Sequence, residues 1–265
     1  MANRKLEALR ARMAQEGMDA YMVPTSDFHE SEYVGEHFKA RSYLSGFTGS
    51  AGVCVVLKDE AELWTDGRYF IQAENQLRGT GIKLMKIAEP GVPTVEQFLA
   101  EKLPEGGCLG YDGRVVNTRT AQNLEKALAG RHARFAIDKD LVGEIWTDRP
   151  ALSAKPAFRL TDAQAGVTAK EKLALIRGDM AENGADVLLL PTLGEIAWLL
   201  NLRGADIAYN PYLLAFAAVE KEQVLLFAQK KAVSDEVEAS LAADGVKLMP
   251  YDGVYDYIAG VPAGT

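Results

Sequence analysis

The feature that most constrains the fold of this 265-residue chain is an internal repeat. The segment LRARMAQEGMDAYMVP at 9–24 is echoed by IRGDMAENGADVLLLP at 176–191, so that a methionine, a glycine and a proline each recur 167 positions later. Further along, GIKLM at 81–85 is echoed by GVKLM at 245–249, with an offset of 164. Because a sustained offset of this kind reflects repeated supersecondary structure, the sequence predicts two copies of one structural unit.

Predicted strands alternate with predicted helices in the first copy, a pattern typical of an α/β domain. The β-branched run at 52–57 and the AELW that follows it form a predicted hairpin. The stretch DRPALSAKPAF at 148–158 is typical of an inter-domain linker because it holds two prolines and several small residues. We therefore predict a first domain over 1–150 and a second copy of the same type over 158–265. The second copy has almost nothing that corresponds to 109–150 of the first, so we expect that copy to be truncated at its C-terminal end.

Composition and charge argue against several classes of partner. The net charge is −8, whereas a nucleic-acid surface needs clustered lysine and arginine. No apolar run approaches the ~20 residues that span a bilayer, and the charged N-terminus lacks the apolar core of a secretory signal. Cys54 and Cys108 do not make a disulfide framework, which favours a reducing compartment. We expect a cytoplasmic protein with no nucleic-acid and no membrane partner.

The motif WTDGRYF at 64–70 is a candidate binding element. Asp66-Gly67 is a strong turn signal because glycine accepts positive φ without steric cost. Arg68 follows, and arginine is the side chain best suited to grip a carboxylate with two parallel hydrogen bonds. Taken by itself, the motif favours a simple turn over a binding site.

Two further motifs favour structural roles. SGFTGSAG at 45–52 lacks the spacing of a phosphate-binding loop, so we predict a structural loop. DFHESEYVGEH at 27–37 holds His29 and His37 among carboxylates, a residue mixture that can bind a transition metal. The two histidines are eight residues apart, which matches no single helix face, and we predict a solvated polar loop instead of a metal site.

The motif EIAWLLNLRGADIAYNP at 195–211 brings Arg203 and Asp206 close together in sequence, and its Asn-Pro pair marks a turn. It contains no nucleophile next to a base. With three histidines in the whole chain and no paired-ligand spacing, the sequence predicts no internal catalytic centre.

Five segments together closely resemble the N-terminal half of cytosolic-type aminopeptidase P, also called Xaa-Pro aminopeptidase; they are HESEY, SGFTGSAG, LWTDGRYFIQA, EIWTDRP and EIAWLLNLRGADIAYNP. The resemblance extends over essentially the whole chain in the same order. It implies an α/β fold with two related creatinase/prolidase N-terminal-type domains, each a mixed β-sheet flanked by helices. It also implies a pita-bread catalytic domain that is absent from this sequence.

The resemblance further implies a chemistry. Members of that family remove the N-terminal residue from peptides whose second residue is proline, using two divalent metal ions, usually Mn²⁺, held by Asp, His and Glu of the third domain. No metal ligand, catalytic residue or cofactor is therefore carried onto this chain. The family's arginine at the position of Arg68 is understood to project toward the catalytic cavity. Arg68, with Asp66 in the same motif and His29, makes up the expected substrate-binding set.

As partners the resemblance implies short Xaa-Pro peptides, the C-terminal catalytic domain and, for the complete enzyme, a second copy in a homodimer. The N-terminal domains would narrow the entrance to the catalytic cavity. Two alternatives stay open: a stand-alone, non-enzymatic binding or scaffold protein derived from this family, and creatinase-like hydrolysis of another C–N bond, which the two-copy N-terminal half disfavours. A reading frame that continues past Thr265 into Asp-, His- and Glu-bearing segments would favour the enzyme over the scaffold.

Overall fold

The computed structural model of the chain describes residues 3–262 and divides into two compact units, Met1–Ala151 and Leu152–Thr265. The outer ends of the two predicted domains, residues 1 and 265, lie outside the described residues. None of the helices in the described part of the chain is long and apolar enough to cross a membrane.

The first unit is built on one mixed β-sheet. Its strands are β1 (Ala20–Pro24), β2 (Val53–Leu57), β3 (Ala61–Thr65), β4 (Lys83–Lys86), β5 (Cys108–Gly110) and β6 (Arg134–Ala136). They are ordered β4-β3-β2-β1-β5-β6 in the sheet. Strand β2 is antiparallel to β1 and β3, as the predicted hairpin requires, and the other neighbouring pairs are parallel. The carboxyl ends of β1, β3, β4, β5 and β6 therefore meet at one edge of the sheet.

Helices cover both faces of this sheet. They are α1 (Arg4–Gln15), α2 (Ala40–Ser45), α3 (Phe70–Gln76), α4 (Val95–Lys102), α5 (Thr118–Leu128) and α6 (Leu141–Ile145). Side chains alternate between the faces of a strand, so Tyr21 and Val23 of β1 join the core under α1, α2 and α6, whereas Ala20 and Met22 join the core under α4 and α5. The predicted arrangement of a mixed sheet flanked by helices is confirmed.

The first helix shows how the local sequence sets these elements. Leu6, Leu9 and Met13 are buried on one side of α1, at the spacing of a helical face. Asn3 caps the N-terminus by accepting backbone N–H groups of the first turn. The helix ends just before Gly17, whose φ of 66° is the left-handed conformation that terminates many helices.

The second unit repeats much of this plan. Its strands within the described residues are β7 (Phe158–Arg159), β8 (Val187–Leu190), β9 (Leu202–Arg203), β10 (Ala215–Glu220), β11 (Val224–Ala228) and β12 (Val246–Pro250). Its helices are α7 (Asp162–Ala165), α8 (Ala169–Glu182), α9 (Leu193–Leu199), α10 (Asp235–Ala243) and α11 (Gly253–Gly260). Strands β12-β11-β10-β8 form one sheet in that order, and β7 pairs with β9.

The internal repeat is confirmed by topology. The order and directions of β12-β11-β10-β8 match those of β4-β3-β2-β1: two antiparallel pairs and one parallel pair. The repeated glycines also match in conformation. Gly17 and Gly184 have φ of 66° and 65°, and Gly81 and Gly245 have φ of 78° and 77°. The repeat keeps glycine where the backbone needs the left-handed region, which other residues reach only at a steric cost.

The described residues of the second sheet contain no counterpart of β5 and β6. The stretch predicted as a linker, 148–158, is only partly one. The backbone N–H of Ala157 donates to the carbonyl of Ala232, and that of Lys155 donates to Asp206. Its last residues are therefore fixed to the second unit by hydrogen bonds.

Candidate functional site

The carboxyl edge of the first sheet collects most of the motifs described above. The loop 25–31 follows β1, the loop 45–52 leads into β2, and Asp66–Arg68 follow β3. A second Asp-Gly-Arg, at 112–114, follows β5. Ligands of open α/β sheets bind in crevices outside the carboxyl ends of the strands, so we take this carboxyl edge as the candidate site.

Asp66 and Arg68 form a bidentate ion pair at this edge. Asp66 caps a short 3-10 helix, Gly67–Tyr69, by accepting the backbone N–H of Arg68 at 3.1 Å. The Arg68 side chain donates from Nε to Oδ1 and from Nη2 to Oδ2, both at 2.9 Å. These hydrogen bonds lower the pKa of the Asp66 carboxyl and raise the pKa of the Arg68 guanidinium. The turn is formed as predicted, but Gly67 is not among the described glycines with positive φ, so the predicted reason for this glycine is wrong.

Arg68 keeps hydrogen-bond donors for a ligand. A guanidinium has five N–H donors, and two of those on Arg68 are directed at Asp66, its side chain's only hydrogen-bond partner among the described residues. The side chain is 68% exposed, and its Cζ lies 5.2 Å from the centroid of the Tyr69 ring. Asp66 therefore orients an arginine whose remaining N–H groups suit a carbonyl or carboxylate oxygen.

The second Asp-Gly-Arg motif, Asp112–Arg114, repeats this geometry and was missed by reasoning from the sequence. The Arg114 side chain donates from Nε and Nη2 to the two carboxylate oxygens of Asp112, both at 2.9 Å. Its Cζ also lies 4.7 Å from the centroid of the Phe28 ring, and its Nη2 lies 3.9 Å from Asp140. The shared geometry shows that the pairing itself holds a turn. Arg68 is therefore suited to binding by its exposure, not by the motif.

The loop after β1 is buried, and the prediction that it is a solvated polar loop is wrong for Asp27 and His29, which are 1% and 2% exposed. Asp27 Oδ1 accepts the backbone N–H groups of His29 and Ser31, both at 2.9 Å, so a side chain replaces water for this backbone. Phe28 packs edge-to-face on Phe38, with ring centroids 4.8 Å apart, and this contact draws the loop inward.

His29 lies at the same edge as Arg68, on the loop after β1, while Arg68 follows β3. Strand β2 separates β1 from β3, so the two loops leave the sheet about 10 Å apart, two strand spacings. A cleft of about 300 Å³ lies beside the loop after β1, and its polar lining includes Ser26, Glu30 and Asn117. The carboxyl edge thus offers an oriented cation after β3 and, beside the loop after β1, a cleft that Arg68 does not line.

The described residues provide no metal site. Nowhere in 3–262 do three or more His, Cys, Asp or Glu side chains group as ligands. His37 contacts the carbonyl oxygen of Pro150 through Nδ1 at 2.8 Å, and burial lowers its pKa. Cys54 and Cys108 are buried free thiols whose pKa values are raised by burial, so neither is a reactive thiolate.

Arg41 holds the carboxyl edge together and was also missed by reasoning from the sequence. It is 4% exposed, and its guanidinium donates to Thr25 Oγ1 at 2.7 Å, to the carbonyl oxygen of Phe47 at 2.9 Å and to that of Gly49. Burial lowers the pKa of Arg41 to about 10, so it remains charged at neutral pH. These bonds tie the loop 45–52 to the end of β1.

The glycines of the loop 45–52 serve close packing, which confirms the predicted structural role. A Cβ on Gly49 would lie 2.3 Å from the Phe47 ring, and a Cβ on Gly52 would lie 2.8 Å from the carbonyl oxygen of Trp64. The loop can approach β3 this closely only where side chains are absent.

Replacing Gly52 by alanine is expected to lower the free energy of unfolding by ~1–3 kcal/mol, because the added Cβ meets a strand carbonyl that cannot move away. Gly130→Ala is the matched control, since a Cβ there would have no neighbour within 4 Å and the φ of Gly130 is not positive. Urea unfolding followed by tryptophan fluorescence measures both variants. Equal midpoints for the two would contradict the packing role of Gly52.

Comparison with known families identifies the domain type of these two units. Models of the Creatinase/Prolidase N-terminal domain match the chain twice, over residues 5–141 and 148–264. The chain belongs to this family. The matches agree with two copies of one domain type, as the internal repeat predicts.

Similar proteins extend the comparison to whole enzymes. The chain is 38% identical to aminopeptidase P2 of Arabidopsis thaliana over 99% of its own length, and 36% identical to Xaa-Pro aminopeptidase 1 of Dictyostelium discoideum over 97%. It spans 38% and 42% of the lengths of these two relatives. The solved X-prolyl aminopeptidase of Caenorhabditis elegans, described as a cytosolic enzyme with a di-nuclear active site, superimposes with a TM-score of 0.92 at 33% identity. That likeness covers 98% of this creatinase/prolidase N-terminal chain and 44% of the C. elegans chain.

Proposed function

We propose that this chain forms the non-catalytic N-terminal domains of an Xaa-Pro aminopeptidase, a metallopeptidase that removes the N-terminal residue from peptides with proline second. The domains narrow substrate access and bind peptide through Arg68, which Asp66 orients, with His29 in the neighbouring buried loop. The observation that carries the proposal is an exposed, oriented arginine at the carboxyl edge of a chain that resembles Xaa-Pro aminopeptidases along nearly its whole length.

The chemistry of the substrate gives Arg68 a role. An Xaa-Pro bond has no N–H, and the proline ring fixes φ, so an enzyme has fewer backbone hydrogen bonds with which to hold the peptide. A charged donor that binds a peptide carbonyl or the terminal carboxylate compensates for that loss. The donors that Asp66 does not use make Arg68 suitable for this task.

The two divalent metal ions of such an enzyme, which we take to be Mn²⁺, do not fit the residues of this chain. No group of potential ligands comes together within 3–262. We therefore propose that both ions and the catalytic residues belong to a catalytic domain outside this sequence. We also propose a cytoplasmic location and retain 1–150 and 158–265 as the domain bounds.

The chain by itself is expected to be inactive on Xaa-Pro peptides, because it provides no metal ligands within the described residues. The test incubates the purified chain with a proline-second tripeptide and Mn²⁺ and measures release of the N-terminal residue. A complete Xaa-Pro aminopeptidase is the positive control, and a chelator-treated sample is the blank. Turnover that co-purifies with the chain and disappears with the chelator would contradict the proposal.

A further inference from the structure

The second unit contains a pocket with a positively charged lining. It lies between α7, α8, α9 and the β9 strand, and its volume is about 270 Å³. Its lining includes Val167, Lys172, Leu175, Trp198, Asn201 and Arg203. No carboxylate is among the described residues that line it, whereas two of them are cations.

Lys172 places a positive charge in the wall of the pocket. It is 5% exposed, and its Nζ donates to the carbonyl oxygen of Trp198 at 2.7 Å and to Asn201 Oδ1 at 2.6 Å. Both acceptors are neutral, and the ammonium also lies 4.8 Å from the centroid of the Trp198 ring. Burial lowers the pKa of Lys172, and the nearby charge of Arg203 lowers it further. No acidic side chain in the described part of the chain lies within 4 Å of this ammonium.

Arg203 is a second cation in this pocket, and no acidic side chain of the described residues pairs with it. Its Nη1 donates to the carbonyl oxygens of Ala197 and Leu202, which leaves Nη2 and Nε for another acceptor. The predicted neighbour, Asp206, does not pair with it. Asp206 is buried and accepts three hydrogen bonds from elsewhere in the second unit. The pocket therefore holds two positive charges that the described residues do not neutralise.

The internal repeat shows which contacts around this pocket are common to both units and which belong to the second unit alone. Lys5 is the counterpart of Lys172 at the repeat offset, and it donates to the carbonyl of Tyr43 at 2.7 Å as Lys172 does to that of Trp198. Fixing the end of the following helix is thus a structural role common to both units. In the first unit, however, the Tyr43 ring is covered by Trp146, with centroids 4.5 Å apart and planes 12° apart.

Two features exist only in the second copy. Aligning SYLSGFTG with AWLLNLRG places Thr48 opposite Arg203, so a neutral residue has been exchanged for a cation. The aromatic ring is also open, since Trp198 is 51% exposed, and Leu175 and Val167 beside it are 66% and 42% exposed. Arg203 Nη1 also holds the end of α9, through the carbonyl of Ala197, but Nε and Nη2 of Arg203 and the open apolar wall take no part in those bonds.

We propose that this pocket binds an apolar carboxylate, in the form of a free N-acylated amino acid or the C-terminal residue of a peptide. The carboxylate accepts hydrogen bonds from Nε and Nη2 of Arg203 and is attracted by the nearby charge of the Lys172 ammonium. The apolar part of the ligand packs on Trp198 and Leu175, which are now exposed to water. Charge-assisted hydrogen bonds next to an apolar wall are the usual means of recognising such a molecule. This inference is independent of the proposed peptidase function.

The test is an NMR titration of the ¹⁵N-labelled chain with N-acetyl-L-leucine at constant ionic strength. The indole Nε1–H signal of Trp198, assigned with Trp198→Phe, is expected to shift in a saturable manner. N-acetyl-L-leucinamide has the same apolar body without the charge and is expected to bind at least roughly ten-fold more weakly. Acetyl-Ala-Ala-Leu distinguishes the two sources: tighter binding than N-acetyl-leucine identifies a peptide end, and equal or weaker binding identifies a free acid.

Arg203→Gln is expected to weaken N-acetyl-L-leucine at least roughly ten-fold while the rest of the spectrum stays unchanged. Leu175→Glu, at an exposed position, is also expected to weaken binding of N-acetyl-L-leucine, because the added carboxylate repels that of the ligand. This variant tests the proposal if Arg203→Gln does not fold. A Trp198 signal that does not saturate, equal binding of acid and amide, or unchanged binding by Leu175→Glu would overturn the proposal.

Discussion

Replacing Arg41 by alanine is expected to lower the free energy of unfolding by roughly 3–5 kcal/mol, the largest stability loss that we expect from a single change in the first unit. The buried guanidinium serves three acceptors: Thr25 Oγ1 and the carbonyl oxygens of Phe47 and Gly49. Its removal leaves these acceptors without donors and opens a cavity beneath the loop 45–52. No carboxylate pairs with Arg41 among the described residues, so the loss reflects hydrogen bonding and packing, not an ion pair.

Urea unfolding measures this loss, with Arg78→Ala as the matched control. Arg78 is exposed, and the side-chain hydrogen bond seen for it among the described residues is a long one, 3.4 Å to Asn75. The control is expected to unfold at the midpoint of the unchanged chain. If Arg41→Ala unfolded at that same midpoint, Arg41 would not hold the carboxyl edge together.

Replacing Arg68 by alanine, in the complete enzyme that carries this chain, is expected to lower kcat/KM for an Xaa-Pro peptide by roughly ten- to a hundred-fold. The physical reason is the loss of charge-assisted donors that Asp66 holds in place. An effect mainly on KM would mean that Arg68 binds substrate and transition state equally, and an effect mainly on kcat would mean that it aligns the transition state. Thermal unfolding should change little, because the Arg68–Asp66 pair is exposed and contributes little to stability.

The second copy offers a matched control for this experiment. Lys231 occupies the place of Arg68 in the repeat, since each is the second residue of a 3-10 helix that follows the third strand of its sheet. Lys231 is exposed, and Lys231→Ala is expected to leave turnover unchanged. Unchanged activity of Arg68→Ala together with a lowered melting temperature would show that Arg68 only holds its turn.

The parts of the fold that were predictable depend on local rules. The repeat was visible because its glycines occupy left-handed positions that other residues reach at a cost, so Gly17 and Gly184 recur in sequence as they do in conformation. The pairing of Asp66 with Arg68 could also be predicted from the local sequence, because two residues on either side of a turn are close regardless of the tertiary structure. The second Asp-Gly-Arg, at 112–114, carried the same signal and could have been found by searching for the motif.

The parts that were not predictable depend on contacts between distant residues. The stretch around Asp27 and His29 has no hydrophobic period, and its burial comes from an Asp-closed turn and a pair of phenylalanines. Arg41 belongs to a six-residue helix in a polar context, where an arginine is usually solvated, and its partners lie on other segments. The burial of Lys172 could not be predicted either, because it depends on contacts with the end of another helix, α9.

The most direct test of the proposed function is an assay of the complete polypeptide that contains this chain. Release of the N-terminal residue is measured, in the presence of Mn²⁺, from a tripeptide with proline second and from one with alanine second. We expect Xaa-Pro turnover that a chelator abolishes, with a preference over the alanine peptide of at least roughly ten-fold. Absence of Xaa-Pro turnover by a folded, metal-loaded protein would contradict the proposed function and would favour a binding or scaffold role for these domains.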